Sequence, residues 1–350
     1  MLIHNSFRLN GTKYNRNSLE MDAQQWATSS DEEKQALGHF LLNWLNDNEY
    51  IALHTSGSTG KPKEIQMPKT AMYASAVRTA AFFKISNGDS ALLCLPIRYI
   101  AGKMMLVRAL VLGLDLDIIA PKTKLYIEKN YTFTALIPLQ ANASFDSLGK
   151  FKTVLIGGAP IHSELRKRIG KTYSNCIETY GMTETLTHVA TRIIADDFKH
   201  FKAIPGIGIS KDKNDCLVID VPYVPLSPIV TRDIVNLQSD DTFQLLGRRD
   251  WVINSGGIKI FPEALEKILE PHMKFPFFFT GVPDTELGEK LILLAEAPAS
   301  KKGIIMGIAR QHLGSNKHHM PKKVVCVTAF KYNSMSKLDR IASRKVTKAI

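Results

Sequence analysis

Cysteine is scarce in this sequence. The chain has four, Cys94, Cys176, Cys216 and Cys326, set far apart with no metal-ligand spacing. That excludes a zinc ribbon or a disulfide scaffold and suits reduced thiols in a cytoplasm. The start, Met1 to Asn10, lacks a basic segment followed by an apolar one, and the greasy stretch Met104 to Ala120 is broken by Arg108, Asp115 and Asp117. Neither a signal peptide nor a membrane span is expected. There is no internal repeat and no low-complexity tract. Acid is nearly missing from the C-terminal end: residues 301–350 hold twelve Lys or Arg and one carboxylate, Asp339, which accounts for +11 of the formal +12. Such a bias suits nucleic acid, a membrane surface, a polyphosphorylated small molecule or simply a solvated basic face. No recognised nucleic-acid-binding motif accompanies it.

With 350 residues, 45% of them hydrophobic, the chain can bury a sizeable core in about two domains. Short apolar runs alternate with amphipathic ones. Ala91–Leu95, Thr134–Leu139, Thr153–Ile156 and Cys216–Val221 read as strands, whereas Thr70–Phe83, Ile161–Tyr173 and a stretch near Ser30–Asn46 have helical spacing. The alternation predicts an α/β class with some parallel strands. Beyond Gly247 the character changes to a glycine-turned hairpin, a helix opening at Pro262, two strands, a helix closed by Gly314 and a last strand. The expected division is a large α/β domain over 1–247 and a small α+β domain over 248–350, linked at Gly247 to Asp250.

Four stretches could carry chemistry. "HTSGSTGKPKE", His54 to Glu64, gathers glycines, hydroxyls and lysines after an apparent strand. A glycine-rich turn between a strand and a helix can aim backbone N–H groups at a phosphate, although this is not the G-x-x-x-x-G-K-[ST] loop, and a surface turn is the plainer alternative. "YGMTETLTHVA", Tyr180 to Ala190, sets a hydroxyl beside a carboxylate, Thr183-Glu184, able to meet a phosphate and Mg²⁺, or equally to start a helix. "GRRDWVINSGGIKIFPEALE", Gly247 to Glu266, is preceded by "TRD"; Asp233 could accept ribose hydroxyls and Arg248 meet phosphate or ribose oxygens, or the two form a surface ion pair. "NSMSKLDR", Asn333 to Arg340, presents Lys337 among other basic residues.

Taken together, and in this order, the stretches resemble the adenylate-forming superfamily of acyl-CoA and aryl-CoA synthetases, luciferases and adenylation domains, from about Ile51 to the C-terminus. The T-S-G-[ST]-T-G-x-P-K phosphate loop is matched by Thr55, Ser56, Gly57, Ser58, Thr59, Gly60 and on to Lys63. Y-G-x-T-E is matched by Tyr180 to Glu184, and G-R-x-D with G-x-x-I-x-P-x-x-x-E by Gly247 to Glu266. The resemblance implies that Thr183 contacts the α-phosphate, that Glu184 helps hold Mg²⁺, and that Gly158, Ala159 and Pro160 line an adenine pocket on which Tyr180 stacks beside Gly181. It also implies Asp233 on the ribose with Arg248 beside it, Asp250 as hinge, Gly257 along a tunnel for CoA, and Lys337 as catalytic lysine. The implied reaction consumes ATP and CoA with Mg²⁺ and activates a carboxylic acid. The basic tail then has partners in the phosphates of ATP and CoA.

Within that superfamily "LPIRYIAGKMMLVRALVLG", Leu95 to Gly113, resembles the L-P-L-x-H-x-x-G-x-x-x-L-x-R-A-L of the o-succinylbenzoate:CoA ligases of menaquinone biosynthesis, with Tyr99 replacing the histidine. The carboxylate that does not react needs a cation, and Arg98 or Lys103 could supply it, Lys103 being favoured. The sequence departs from the pattern at Ser336, for the glycine before the lysine, at Glu178, for the adenine-edge asparagine, and at Arg232, for the glycine before Asp233. About fifty residues precede the phosphate loop, far fewer than in most relatives, so a shortened N-terminal subdomain is expected. Rival readings are another aryl- or acyl-CoA ligase, an enzyme that loads a carrier protein, and a non-catalytic nucleotide-binding relative.

Overall fold

The computed structural model describes residues 3–54, 63–194, 200–332 and 338–345. Its larger part is built on a 13-stranded sheet. Five neighbouring strands run parallel: Asp115–Ile118, Ser90–Leu93, Tyr131–Leu136, Phe151–Ile156 and Cys176–Gly181. Their apolar runs are buried on both faces, Leu92, Leu93, Phe133, Val154 and Ile156 among them, as a parallel sheet covered by helices requires. Lys69–Phe83, Ile100–Leu112 and Ser163–Thr172 are among those helices. The expected strand through Leu139 stops at Leu136, because Pro138 opens a short helix, Pro138–Ala143.

After Gly181 the sheet turns antiparallel, running in spatial order through His188–Ile193, Phe201–Ala203, Thr242–Arg248, Ile229–Ser239, Cys216–Asp220 and Gly208–Lys211. Cys176–Gly181 and Ile229–Ser239 lie four steps apart in that order. Flat, four steps span about 19 Å. Yet the Tyr180 hydroxyl lies 2.5 Å from Asp233 Oδ2, so this half of the sheet curls back on itself and closes over Phe201 and Phe243.

Beyond Asp250 a separate five-stranded sheet forms from Ile253–Ser255, Ile258–Ile260, Phe277–Asp284, Gly288–Glu296 and Lys323–Val327. The helices Pro262–Leu269 and Lys302–Leu313 pack Leu265, Leu269, Ile305 and Leu313 into its own buried cluster with Phe279 and Leu293. None of the buried hydrophobic clusters among the described residues combines the two sheets. No helix among those residues is long and apolar enough to cross a membrane.

Candidate active site

The strand Cys176–Gly181 delivers Tyr180 to one end of the parallel sheet and passes into a tight turn. Gly181 is required there, since a Cβ would sit 2.3 Å from the carbonyl oxygen of Thr187. Thr185, fully buried, ties the turn together: its Oγ1 accepts from the Met182 N–H at 2.9 Å and donates toward the Thr187 carbonyl at 2.7 Å. Thr183 and Glu184, both half-buried, stand on this turn. Among the described residues Glu184 takes no hydrogen bond and no ion pair. One uncommitted carboxylate beside one hydroxyl fits Mg²⁺, which keeps waters and substrate oxygens for most of its shell, and no cluster of three or more metal-ligating side chains competes for the ion among those residues.

Tyr180, Asp233 and Arg248 meet in the structure. Asp233 and Arg248 are cross-strand partners, and the Arg248 guanidinium reaches Asp233 at 3.3 Å and Asp250 at 3.0 Å. Burial, then the neighbouring Asp233 carboxylate, pushes the Tyr180 phenol well above its ordinary pKa. Asp250 lies in the turn Arg249–Trp251 that leads to the second sheet. Burial would raise its carboxyl, but hydrogen bonds from Arg232 and Arg248 prevail and hold it below the usual range.

Other expected residues find different surroundings. Glu178, 3% exposed, gives one carboxylate oxygen to Arg166 and to Arg192, so its charge is directed at two guanidiniums. Lys103 Nζ donates to the carbonyls of Ile97 and Arg98, both at 2.9 Å, and burial lowers its pKa to about 8. Arg98 is exposed over the Tyr99 ring at 5.2 Å. Ala159 is half-buried beside the exposed, left-handed Gly158, φ +80°, and exposed Pro160 follows in the loop to the helix Ser163–Thr172. Gly257, φ +80°, has open space where a Cβ would point. Thr55, Ser56, Gly57, Ser58, Thr59, Gly60 and Lys337 lie outside the described residues. Lys63 lies at the first described position beyond that loop. The strands flanking the phosphate loop, Tyr50–His54 and Glu64–Pro68, pair antiparallel, so the loop joins a hairpin rather than the strand-to-helix turn the sequence suggested.

Sequence reasoning passed over Arg108. It lies mid-helix in Ile100–Leu112, 3% exposed, hydrogen-bonded to Thr187 Oγ1, which is 3.0 Å from His188 Nδ1. Among the described residues it pairs with no carboxylate. Among the described residues the buried Arg108 Nε and His188 Nε2 find no hydrogen-bond partner, and His188 lines one small cavity with Ser75, Tyr223 and Arg78. Burial brings the guanidinium down to about 10, and burial plus Arg108 keeps His188 neutral. A buried cation with spare donors and no acid is a place prepared for an anion. Its signal in the sequence was a lone arginine inside an otherwise apolar helical run.

A family model described as "AMP-binding enzyme" matches residues 11–229. Among curated proteins, a probable 2-succinylbenzoate--CoA ligase of Mycobacterium tuberculosis is 28% identical over 277 residues, covering 71% of this chain and 71% of that protein. The 2-succinylbenzoate--CoA ligase of Bacillus licheniformis is 24% identical over 339 residues, 84% of this chain and 69% of its own. Among solved structures, an acyl-CoA synthetase (AMP-forming)/AMP-acid ligase II-like protein from Dyadobacter fermentans is 28% identical, with 93% and 98% of the chains covered and a TM-score of 0.59. The Bacillus subtilis o-succinylbenzoate CoA synthetase in complex with the acyl-adenylate intermediate OSB-AMP superposes at a TM-score of 0.71 with 20% identity, covering 85% and 69%. At that identity the likeness is one of fold.

Proposed function

This chain belongs to the AMP-binding enzyme family, and from that premise we propose that it is an ATP-dependent acid:CoA ligase that forms an acyl-adenylate and then a thioester, with o-succinylbenzoate as the acid. The observation that carries the reading is the convergence of Tyr180, Asp233 and Arg248 at the end of the strand whose next turn bears Thr183 and the uncommitted Glu184. Asp233 accepts ribose hydroxyls, the Tyr180 ring meets the base, and Thr183 donates to the α-phosphate. Glu184 would help hold Mg²⁺, which would supply positive charge beside the phosphate oxygens.

In the first step a carboxylate oxygen of the acid attacks the α-phosphorus, and the bond to the bridging oxygen breaks to release pyrophosphate. In the second, the CoA sulfur attacks the acyl carbon, its proton is lost and AMP departs. Positioning and positive charge supply most of the catalysis, and Thr55 to Gly60, Lys63 and Lys337 are the residues assigned to them. The small domain, 248–350, turns about Asp250 between the steps, and Gly257 leaves room for the pantetheine arm. The four free cysteines accord with a cytoplasmic setting.

The acid's second carboxylate is assigned to Arg108 rather than to Lys103 or Arg98. Lys103 is committed to two carbonyls and Arg98 to the surface, whereas Arg108 sits with Thr187 and His188, and His188 pairs in register with Gly181 beside the Thr183–Glu184 turn. One experiment tests reaction and substrate together: AMP release from ATP and Mg²⁺ across o-succinylbenzoate, benzoates and fatty acids, with and without CoA, for the native chain and for Arg108→Met. CoA-dependent turnover confined to o-succinylbenzoate is expected, with kcat/KM lowered at least tenfold in the variant, about 1.4 kcal/mol or more for a lost charged hydrogen bond. Turnover with monocarboxylates alone would refute the assigned acid, and none with any acid would refute the ligase reading.

A further inference from the structure

The contacts that hold the second sheet against the first are polar. His162 and Glu270 meet at 2.9 Å, the Ser163 N–H donates to Glu270 at 3.2 Å, the Arg248 N–H donates to Glu263 at 3.2 Å, and Lys267 Nζ lies 3.3 Å from the Leu245 carbonyl. No buried hydrophobic cluster among the described residues spans the two. Units joined in this way move relative to one another unless something specific fixes them.

The chain crosses between them through Arg249–Trp251, and the carboxylate of Asp250 in that turn is gripped from both sides. Arg248, from the strand Thr242–Arg248, takes Oδ2 at 3.0 Å; Arg232, from the strand Ile229–Ser239, takes Oδ1 at 2.5 Å. The two arginines differ in what they would lose if the turn rotated. Arg248 keeps Asp233 as a second partner, whereas among the described residues Arg232 pairs with Asp250 alone. Arg232 therefore has a single electrostatic reason for its position. Its side chain is 62% exposed while that of Asp250 is 13% exposed, so the arginine rehydrates readily on release and the carboxylate does not until the turn itself swings outward.

We propose that Arg232 is a positioning residue that clamps the crossover at Asp250 and so biases how the small unit sits on the large one during the two chemical steps. The proposal rests on the ligase reading for its consequence in catalysis, not for the clamp itself. A half-exposed pair of this kind shifts a two-state equilibrium by about two- to fivefold at low salt. That bias is strong enough to redistribute time between two orientations and weak enough to be reversed in every cycle.

The test compares the native chain with Arg232→Gly and Arg232→Lys, each spin-labelled at exposed positions through Lys213→Cys and Lys317→Cys in a Cys326→Ser background. The expected result is a redistribution of inter-label distances by about two- to fivefold in Arg232→Gly, restoration by Arg232→Lys, and convergence of all three in ~1 M salt. The ratio of the adenylation rate, from pyrophosphate exchange, to the thioester-forming rate should change with it. Superimposable distance distributions would overturn the clamp, as would a lowered melting temperature with that ratio and the distances unchanged. Failure of the ligase reading is separately visible as no pyrophosphate exchange with any acid, while the distances still decide the clamp.

Discussion

Arg166, Glu178 and Arg192 illustrate how far a single residue departs from a role suggested by its place in a motif. The sequence marks Glu178 as the substitute for an asparagine at an adenine edge. A carboxylate there, unlike an amide, draws cations, and the fold supplies two that the linear sequence could not pair with it: Arg166 from a helix and Arg192 from the antiparallel neighbour strand. Removing the charge would take from two largely buried guanidiniums the carboxylate they share. Glu178→Gln is therefore expected to lose about 3–5 kcal/mol of stability in chemical denaturation, and a loss under ~1 kcal/mol would show that water or rearrangement already satisfies the arginines. Arg108 and Lys103 teach the complementary point. Both are cations in one helix, and their spacing could not reveal that Lys103 folds back on the carbonyls at its own N-terminus while Arg108 turns inward.

At the scale of elements, about half of the strands and helices were legible because burial on both faces writes a run of apolar residues and burial on one face writes a helical stripe. Ala91–Leu95 against Ser90–Leu93 and Thr70–Phe83 against Lys69–Phe83 differ only at their ends. The helix Arg16–Ala27 was missed because it buries only Leu19 and Ala23 and is fixed by its Asn15–Ser18 capping box. Partners across elements outside the motifs were not legible, and the His162–Glu270 contact is one. His162 precedes the helix Ser163–Thr172, and Glu270 caps that helix's first N–H from the other unit. The hydrogen bond to Glu270 raises the imidazole pKa above 6.5; burial would raise the Glu270 carboxyl, but His162 and the Ser163 N–H hold it below 4.5. A raised histidine contributes fully below its ordinary pKa and is lost as pH rises through the raised value, whereas a depressed carboxylate contributes above its ordinary pKa. The contact thus acts between the two. With the histidine side chain 63% exposed, it is expected to show a double-mutant coupling of less than about 1 kcal/mol near pH ~5.5 that disappears by pH ~8.5. A coupling that grew with pH would show that the neutral imidazole makes the contact.

The whole molecule is two cores held together by charge and hydrogen bonds, and this decides how far a bound nucleotide can be felt. A ligand that binds only the folded large unit at a hundred times its dissociation constant stabilises that unit by about 2.7 kcal/mol, a hundredfold in the population of its unfolded form. Amides deep in the strand Phe151–Ile156 exchange with solvent only through that unfolding, so AMP should slow them by about the same factor. The strand Gly288–Glu296 belongs to the second core. If the polar contacts between the units are the only coupling and together transmit about 1 kcal/mol, exchange there should slow by about fivefold. Equal slowing in both strands would mean that the units unfold as one, and that the polar seam between them is stronger than the sum of contacts of its kind. Unequal slowing would mean that nucleotide binding fixes the large unit while leaving the small one free to turn, the condition an enzyme with two successive steps at one site must meet.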